Sequence, residues 1–343
     1  MNEVSNAMKL DKLFIILVFT ILSTCLLVFS NAGSYGALVG LKLSYSTIIP
    51  SLFPFTVCAL IIFECYLSQS INIKKITRLN ETIIYLISLI GGFPVGAKLI
   101  EKAYVNKQIS KSNAEFMLAF CVNSGPAFII IVIGSGFLSS IKLGYLLFTA
   151  NLLATLTLLI FYIIYFPKHE SKKVAPVSKS FSENFVSSTY EATQAILMIC
   201  AYVVLFSTII EIIKKIITVC TARNYLISLL EITNGIAYAE NNIYYISFLL
   251  GFSGLCVHFQ VISMCSTLKP NYFKFLLFRL IHGALNIFYV KELTKILKIS
   301  TKTISLRNNI QFCFSNHSIL FGVLFIMLSI AFMLSVKKEN NIL

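Results

Sequence analysis

Charge is scarce in this chain, and acidic residues are scarcer than basic ones. The sequence has 14 acidic and 28 basic residues among 343, and 57% of its residues are hydrophobic. Charged residues make up only 12% of it, whereas a soluble domain carries about 25%. Too few polar side chains remain to cover a soluble protein of this length. The composition therefore excludes a soluble domain and predicts an all-α polytopic membrane protein.

The motifs of common soluble enzymes are also missing. The sequence contains no G-x-x-x-x-G-K-[ST], H-E-x-x-H or G-x-S-x-G pattern, which would indicate phosphate binding, zinc-dependent hydrolysis or a serine nucleophile. Its nine cysteines include no C-x-x-C pair, so they predict small buried side chains rather than a zinc site or a disulfide framework. We expect no enzyme activity, no metal ion and no cofactor.

The excess of basic residues has a membrane explanation. The formal net charge is +14, but most lysines and arginines flank apolar runs and do not form a basic domain of their own. That distribution follows the positive-inside rule and favours contact with anionic lipid. It indicates membrane lipid as a partner and argues against nucleic acid.

Apolar runs and one polar stretch divide the chain into two halves. A membrane-spanning helix needs about 20 apolar residues. The clear spans are 13–30, which we expect to be an uncleaved first helix, 48–67, 143–166, 192–213 and 319–336. The predicted domains are 1–47, an N-terminal membrane helix and connection; 48–166, a first half; 167–190, a polar linker; 191–290, a second half; and 291–343, a basic loop and C-terminal membrane helix.

Four further apolar segments contain residues that break helices: 82–99, 115–138, 225–236 and 243–265. Proline removes a backbone donor and glycine weakens a helix. Such backbone survives at membrane depth only where protein or a water-filled cavity solvates it. Lysines flank segment 82–99 on both sides, which predicts a re-entrant hairpin and not a crossing. The expected helix-breaking residues are Gly92, Pro94, Gly96, Gly125, Pro126, Gly235 and Gly254.

The two halves also resemble each other. Residues 92–98 align with residues 254–260, with a glycine opening each stretch and Val95 matching Val257. Pairs of interrupted hydrophobic segments mark the binding site in transporters that are built from inverted repeats. The alignment predicts an internal inverted repeat, with broken or re-entrant helices in each half.

Polar residues beside the breaks are the candidates for a binding site. Pro126 frees the carbonyl of Val122 from its helical hydrogen bond, which leaves a polar group at membrane depth beside Asn123 and Ser124. Glu231 is a rare acid within an apolar run, and an intramembrane carboxylate indicates a functional site by default. The candidate substrate-binding residues are Lys98, Asn123, Ser124, Glu231, Thr233, Asn234, His258 and Gln260.

Each candidate also has a purely structural interpretation. Lys98 is placed to extend its ammonium group to the lipid interface, and the polar groups near Pro126 can satisfy one another at a simple kink. Asn234 and Gly235 are expected to cap the C-terminus of a short helix. Glu231 is expected to bind a proton or cation, or to pair with a basic residue. The basic residues available for that pairing are Lys98, Arg279 and His258.

These segments together resemble a known family. The chain is similar to the YlbJ-type sporulation integral membrane proteins, which belong to a wider group with a nucleoside-recognition or Gate domain. The shared motifs occur in the family's order and cover roughly residues 48–289. Where the family often has Ser-Gly-Tyr-Pro, this chain has Gly92-Phe93-Pro94, which removes a hydroxyl group. The matching segments are 50–55, PSLFPF; 91–98, GGFPVGAK; 123–126, NSGP; 231–235, EITNG; and 251–260, GFSGLCVHFQ.

The resemblance implies a multi-pass protein of the bacterial cell membrane, with two gate-like halves and a role in sporulation and spore cortex formation. Two functions stay open. One is a transporter or permease for an unknown small solute, which works by alternating access around a polar site between the halves. The other is a non-transporting scaffold that binds other sporulation membrane proteins or a second copy of the chain. An intramembrane enzyme is disfavoured, because no nucleophile and base stand together.

Overall fold

Helices make up nearly all of the chain that the structure, a computed structural model, describes: residues 16–68, 79–166, 180–239 and 242–298. This agrees with the predicted all-α class. In chain order the helices are α1 Ile16–Val28, α2 Ser30–Leu43, the π-helix π1 Ser44–Ile48, α3 Ile49–Ser68, α4 Leu79–Gly91, α5 Phe93–Val105, α6 Lys111–Cys121, the π-helix π2 Ala127–Phe137, α7 Ile141–Tyr165, α8 Phe181–Ile216, α9 Cys220–Leu230, α10 Ile232–Tyr238, α11 Ile243–Phe252, α12 Gly254–Met264 and α13 Tyr272–Ile296.

Polar side chains begin several of these helices by accepting backbone N–H groups that have no helical partner. The hydroxyl of Ser110 accepts from the N–H of Asn113 at the start of α6, at 3.2 Å. Ser180 and Glu183 form a reciprocal capping box at the start of α8. At the start of α13 the side-chain oxygen of Asn271 accepts from the backbone N–H of Lys274 at 3.1 Å. Each cap contributes about 0.5–2 kcal/mol, so the sequence sets where these helices begin.

Four helices in the described ranges are long and apolar enough to cross a membrane: α7, α8, the pair α11–α12 and α13. A fifth crossing is formed by α1 with residues 30–48 if that pair, bent by 99°, is one span. The chain is therefore a multi-pass membrane protein. The predicted spans 143–166 and 192–213 correspond to α7 and the larger part of α8, whereas the predicted span 319–336 lies outside the described residues.

Large apolar side chains cover the outside of the bundle, which suits contact with lipid. Leu27 and Phe273 are each 80% exposed. Inside, an aromatic cluster joins α6 to the end of α7, where the Phe116 ring lies 4.5 Å from the Phe166 ring and 5.9 Å from the Tyr162 ring. The start of α6 and the end of α7 therefore lie at the same membrane face.

Two helix pairs fold back on themselves as hairpins. In hairpin 1, formed by α4 and α5, a Cβ atom at Gly96 would lie 3.1 Å from the Cβ of Ser88. The same eight residues would span about 12 Å along a straight helix. In hairpin 2, formed by α9 and α10, a Cβ atom at Gly235 would lie 2.8 Å from the Cα of Ser228. The predicted re-entrant segment 82–99 thus folds as a hairpin, and segment 225–236 forms a second one.

The hairpins enter the bundle from opposite membrane faces. Lys102 in hairpin 1 pairs with Glu191 near the start of α8, at 3.0 Å. Near the other end of α8, Lys214 lies over the ring of Tyr238 in hairpin 2, at 5.8 Å. The 23 residues from Glu191 to Lys214 span about 35 Å of helix, close to the thickness of a bilayer. Hairpin 1 and hairpin 2 are therefore inverted relative to each other.

The structure corrects several predicted boundaries. Residues 181–190 of the predicted linker are the first turns of α8, because the capping box at Ser180 starts the helix well before its apolar run. Residues 291–296 complete α13. Residues 167–179 and 299–343 lie outside the described ranges.

The predicted alignment of 92–98 with 254–260 is also wrong, because it pairs unlike elements. Gly92 is the turn of hairpin 1, whereas Gly254 lies in α11–α12, which forms a single interrupted span. The order of elements instead matches hairpin 1 to hairpin 2. It also matches the interrupted helix α6–π2 to the interrupted helix α11–α12.

Candidate functional site

Each hairpin turn packs against the break of an interrupted helix. A Cβ atom at Gly92, the turn of hairpin 1, would lie 3.4 Å from the backbone nitrogen of Gly125 in the α6–π2 break. A Cβ atom at Gly254, in the α11–α12 break, would lie 3.2 Å from the nitrogen of Ile232 and 3.3 Å from the carbonyl oxygen of Leu230, at the turn of hairpin 2. The breaks that the sequence predicts thus meet in two pairs, one in each half.

Left-handed backbone occurs at both meeting points. The φ angle is +79° at Gly92, +76° at Ser253 and +75° at Gly254. Glycine adopts this conformation at no steric cost, whereas serine is strained there. Strain of this kind costs about 1–3 kcal/mol and persists only where neighbouring contacts hold it. The hydroxyl of Ser253 has such a contact.

That contact comes from Arg279 on α13, which joins the two pairs of breaks. One terminal nitrogen of its guanidinium donates to the carbonyl oxygen of Val122 at 2.7 Å. The other donates to the hydroxyl of Ser253 at 2.6 Å. The Val122 carbonyl is the group that Pro126 was predicted to free from its helical bond, and the structure gives it this cationic donor. Arg279 therefore lies where the two hairpin turns and the two helix breaks converge.

Arg279 carries a buried charge without a carboxylate to balance it. Its side chain is fully buried and is among the largest buried side chains of the core. Within the described ranges no aspartate or glutamate forms a salt bridge with it. Removing an ion from water costs several kcal/mol, which neutral hydrogen bonds repay only in part. A negatively charged partner would repay the remainder of that cost.

Several buried polar atoms around Arg279 have no hydrogen-bond partner among the described residues. His258 and His282 both interact electrostatically with the Arg279 charge. The Nε2 atom of His258 forms a hydrogen bond with the Phe252 carbonyl at 2.8 Å. The atoms without a partner are Asn123 Oδ1, Ser124 Oγ, His258 Nδ1, Arg279 Nε, and both ring nitrogens of His282. We call Asn123, Ser124, Ser253, His258, Arg279 and His282 the central cluster.

Glu231 lies beside this cluster but does not form the predicted pair with a basic residue. Its carboxylate accepts from the backbone nitrogens of Thr233 at 3.0 Å and Asn234 at 2.8 Å, and from the Asn234 side-chain amide at 2.8 Å. It therefore caps the N-terminus of α10, where the helix dipole favours a negative charge. The expected pairing with a basic residue is wrong, because the turn of hairpin 2 already satisfies the carboxylate.

Asn234 and Gly235 are also misassigned by the sequence. They lie inside α10 and do not cap the preceding helix, because Glu231 ends α9 and immediately starts α10. Gly235 breaks no helix, and neither does Gly96 inside α5. Gly235 allows the two arms of hairpin 2 to touch, whereas Gly96 allows α5 to pack closely against the Cys121 carbonyl at the end of α6. Gly92, Gly125, Pro126 and Gly254 do lie at breaks, while Pro94 lies in the first turn of α5, where proline is tolerated.

Lys98 and Gln260 lie away from the central cluster. Lys98 is half-buried near Cys265, at the far end of α12 from Gly254. It forms no hydrogen bond or salt bridge in the part of the chain that the structure describes. The Gln260 amide donates to the sulfur of Cys256 at 3.2 Å. Lys98 and Gln260 each follow a break by about two helical turns, so their side chains lie beyond the central cluster.

The strongest member of the site, Arg279, was missed as a binding residue. The sequence places it in an apolar segment with His282, four residues before Gly283. A charged residue within an apolar run was the available signal. The candidate residues were chosen for their position beside glycine and proline motifs. Arg279 was left out because α13 contains no such motif. His282 and Asn286 follow Arg279 at helical spacing and are likewise fully buried.

The two clefts that the structure describes lie elsewhere. One is lined by residues at the starts of α6 and α13, and the other by residues at the start of α7 and the end of α13. Every residue of the central cluster is at most 1% exposed, so packed helices enclose the cluster in this conformation. No group of three or more metal-ligating side chains occurs within the described ranges.

Fold and site together define a multi-pass α-helical membrane protein whose hairpins and interrupted helices meet at a buried polar centre. The chain is similar to the sporulation integral membrane protein YlbJ of Bacillus subtilis (strain 168), with 23% identity over 84% of each chain. This similarity confirms the resemblance to YlbJ-type proteins that the motifs predict. No protein-family model and no solved structure matches the chain, and the Gate domain stays a prediction.

Proposed function

We propose that this protein transports a small anionic solute across a membrane during sporulation, in support of spore cortex formation. The observation that carries the proposal is Arg279: a fully buried cation that no described carboxylate balances, at the point where four helix breaks converge. Intramembrane ionisable residues of this kind mark substrate pathways. The sporulation role rests on the similarity to YlbJ.

The surroundings of Arg279 suit a negatively charged solute. A bound anion supplies the missing counter-charge, and a guanidinium binds carboxylates and phosphates with matched geometry. The Ser124 hydroxyl and the histidine nitrogens that have no partner within the described ranges supply further hydrogen bonds. The start of α12 also presents backbone N–H groups at the α11–α12 break, which favours negative charge.

The opposed hairpins provide a route for alternating access. Hairpin 1 closes the cluster from one face through Gly92, and hairpin 2 closes it from the other through the turn beside Gly254. Movement of one hairpin away from its partner break opens the site to that face alone. Broken helices and inverted repeats serve this purpose in secondary transporters. The enclosed centre then corresponds to the state in which both hairpins are closed.

A second candidate function, a membrane scaffold, is favoured by two observations. No residue of the central cluster lines either of the two described clefts, and the Glu231 carboxylate is already used as a cap. In this account the breaks only shape packing, and the exterior binds other sporulation membrane proteins or a second copy of the chain.

Asn123→Ala separates the two functions. Its Oδ1 atom has no partner within the described ranges, and its amide nitrogen donates to the Phe120 carbonyl, so truncation removes one hydrogen bond and leaves no buried charge without a partner. We expect the variant to reach the membrane at a normal level in a spore-forming host whose own copy is deleted, yet to yield few heat-resistant spores. Asn151→Ala is the matched control, because it removes a buried amide that bonds Asn286 outside the cluster.

Normal spores from Asn123→Ala, at a normal protein level, would favour the scaffold. Equal loss of spores in both variants would also count against the transporter, because it would show a general sensitivity to buried polar substitutions. Membrane abundance is measured by immunoblot of the same cultures, so that loss of the protein is recognised directly.

A further inference from the structure

A basic cleft opens at one membrane face of the bundle. It has a volume of about 530 Å³ and lies between the starts of α6 and α13. Lys274 pairs with Glu115 at 3.4 Å, whereas Lys111 and Lys269 form no salt bridge within the described ranges. Three lysines and one glutamate leave the cleft with two net positive charges. Its lining residues are Lys111, Ser112, Glu115, Lys269, Asn271 and Lys274.

Two helices lead directly from this cleft to the central cluster. Helix α6 begins at Lys111 and ends beside Val122, whose carbonyl oxygen binds Arg279. Helix α13 passes Lys274 and then reaches Arg279. Five residues separate Lys274 from Arg279, a rise of about 7.5 Å, or less than two helical turns. The cleft and the buried guanidinium are therefore adjacent layers of the same bundle.

A layer of aromatic side chains lies between the basic cleft and Arg279. The His258 ring lies 5.1 Å from the Phe275 ring and 6.2 Å from the Tyr272 ring. On its other side it lies 4.9 Å from the Phe252 ring. Phe275 and Arg279 are four residues apart on α13, so they share the inward face of the helix. The paired rings of His258 and Phe275 therefore lie within about one helical turn of Arg279, on the side of α13 that leads to Lys274.

We propose that the basic cleft is an outer binding site, which captures the anionic solute before it passes His258 and Phe275 to reach Arg279. This inference rests on the proposed transport function. The occupant is a free soluble anion, because two of the three lining lysines have no acidic partner within the described ranges and no leucine, isoleucine, valine or aromatic residue lines the cleft. The second cleft differs in this respect, since Leu146, Leu293 and Leu297 help to line it. A lipid headgroup is the alternative that the test has to exclude.

The absence of tryptophan from the sequence allows a direct test. Ser112→Trp places a single fluorophore at the rim of the cleft in the purified full-length protein, held in nanodiscs of zwitterionic phosphatidylcholine. Iodide, an anionic quencher, is compared with acrylamide, a neutral one. We expect iodide to quench more strongly than acrylamide, and inorganic phosphate to compete with it at constant ionic strength.

Neutralising the unpaired lysines should remove this preference. Lys111→Gln combined with Lys269→Asn leaves the Lys274 pair intact, and asparagine tolerates the left-handed backbone of Lys269, where φ is +46°. The double variant removes two positive charges, each taken to lie about 7 Å from the iodide ion. With partial screening by salt, their loss corresponds to a fall of about threefold in the iodide quenching constant. Acrylamide quenching should not change. Lys142→Gln, in the second cleft, is the matched control and should leave both constants unaltered.

Three results would overturn the proposal: equal iodide quenching in the double variant, no competition by phosphate, or loss of the iodide preference when phosphatidylglycerol is added to the nanodiscs. The last result would assign the cleft to a lipid headgroup. The measurement is made at equilibrium and does not require transport. Arg279→Gln should therefore abolish the proposed transport while leaving iodide quenching at the cleft intact, which separates a failure of the cleft from a failure of the proposed function.

Discussion

Ser124→Ala should impair function without lowering the stability of the protein. Ser124 is 1% exposed, and its hydroxyl has no hydrogen-bond partner within the described ranges. A buried polar group left without a partner costs about 1–3 kcal/mol. Removing that single oxygen is therefore expected to leave the free energy of unfolding unchanged, or to raise it by up to about 1 kcal/mol after the loss of its own packing contacts.

Function should respond in the opposite direction. If the hydroxyl helps to bind the transported solute, the alanine variant loses a hydrogen bond made only to that solute. Such a bond contributes about 0.5–1.5 kcal/mol when neutral, and up to about 3 kcal/mol when its partner is charged. With a charged solute, affinity should fall by roughly tenfold to a hundredfold. Spore heat resistance should fall with it, at a normal level of protein in the membrane.

Ser247→Ala is the matched control. Ser247 is equally buried on α11, but its hydroxyl donates to the Tyr244 carbonyl at 2.8 Å. Its loss should lower the free energy of unfolding by about 0.5–1.5 kcal/mol and leave spores normal. The assays are thermal unfolding of both purified variants in nanodiscs, and spore heat resistance in a host without its own copy. Destabilisation by Ser124→Ala together with normal spores would refute the argument that the cluster is built for a ligand.

Two further predictions concern the hairpins. Glu231→Gln replaces the carboxylate that caps α10 and accepts three N–H groups. We expect the variant to destabilise hairpin 2 by about 2–3 kcal/mol and to reduce the amount of protein in the membrane. An unchanged unfolding midpoint would contradict the capping role. In a background without native cysteines, Lys107→Cys and Lys215→Cys should react with impermeant reagents from opposite faces of the membrane, and labelling of both from one face would refute the inverted hairpins.

The sequence predicted the positions of the breaks better than the partners they meet. Glycine and proline act locally, so Gly92, Pro126 and Gly254 indicated interruptions without knowledge of the fold. The free carbonyl of Val122 followed from Pro126 by the same local rule. Long uninterrupted apolar runs were equally clear, which is why the spans at α7 and α8 were recognised.

Tertiary contacts decided the rest. Nothing local distinguishes a carboxylate that caps its own helix from one that pairs across a bundle, so the sequence did not show that Glu231 caps α10 instead of pairing with a basic residue. Lys98 and Gln260 lie two turns beyond a break, and their distance from the centre depends on where each helix points. Arg279 lies on an unbroken helix, so only its meeting with Val122 and Ser253 shows its importance.

Anion binding by the purified protein tests the central claim most directly. Thermal unfolding of the full chain in nanodiscs is measured with inorganic phosphate, acetate and citrate at constant ionic strength, and with neutral and cationic solutes for comparison. We predict stabilisation by at least one of the anions, approaching about 2.7 kcal/mol at a hundred times its Kd, and loss of that stabilisation in Arg279→Gln. Stabilisation only by cations or neutral solutes, or an anion effect that persists unchanged in Arg279→Gln, would contradict the account.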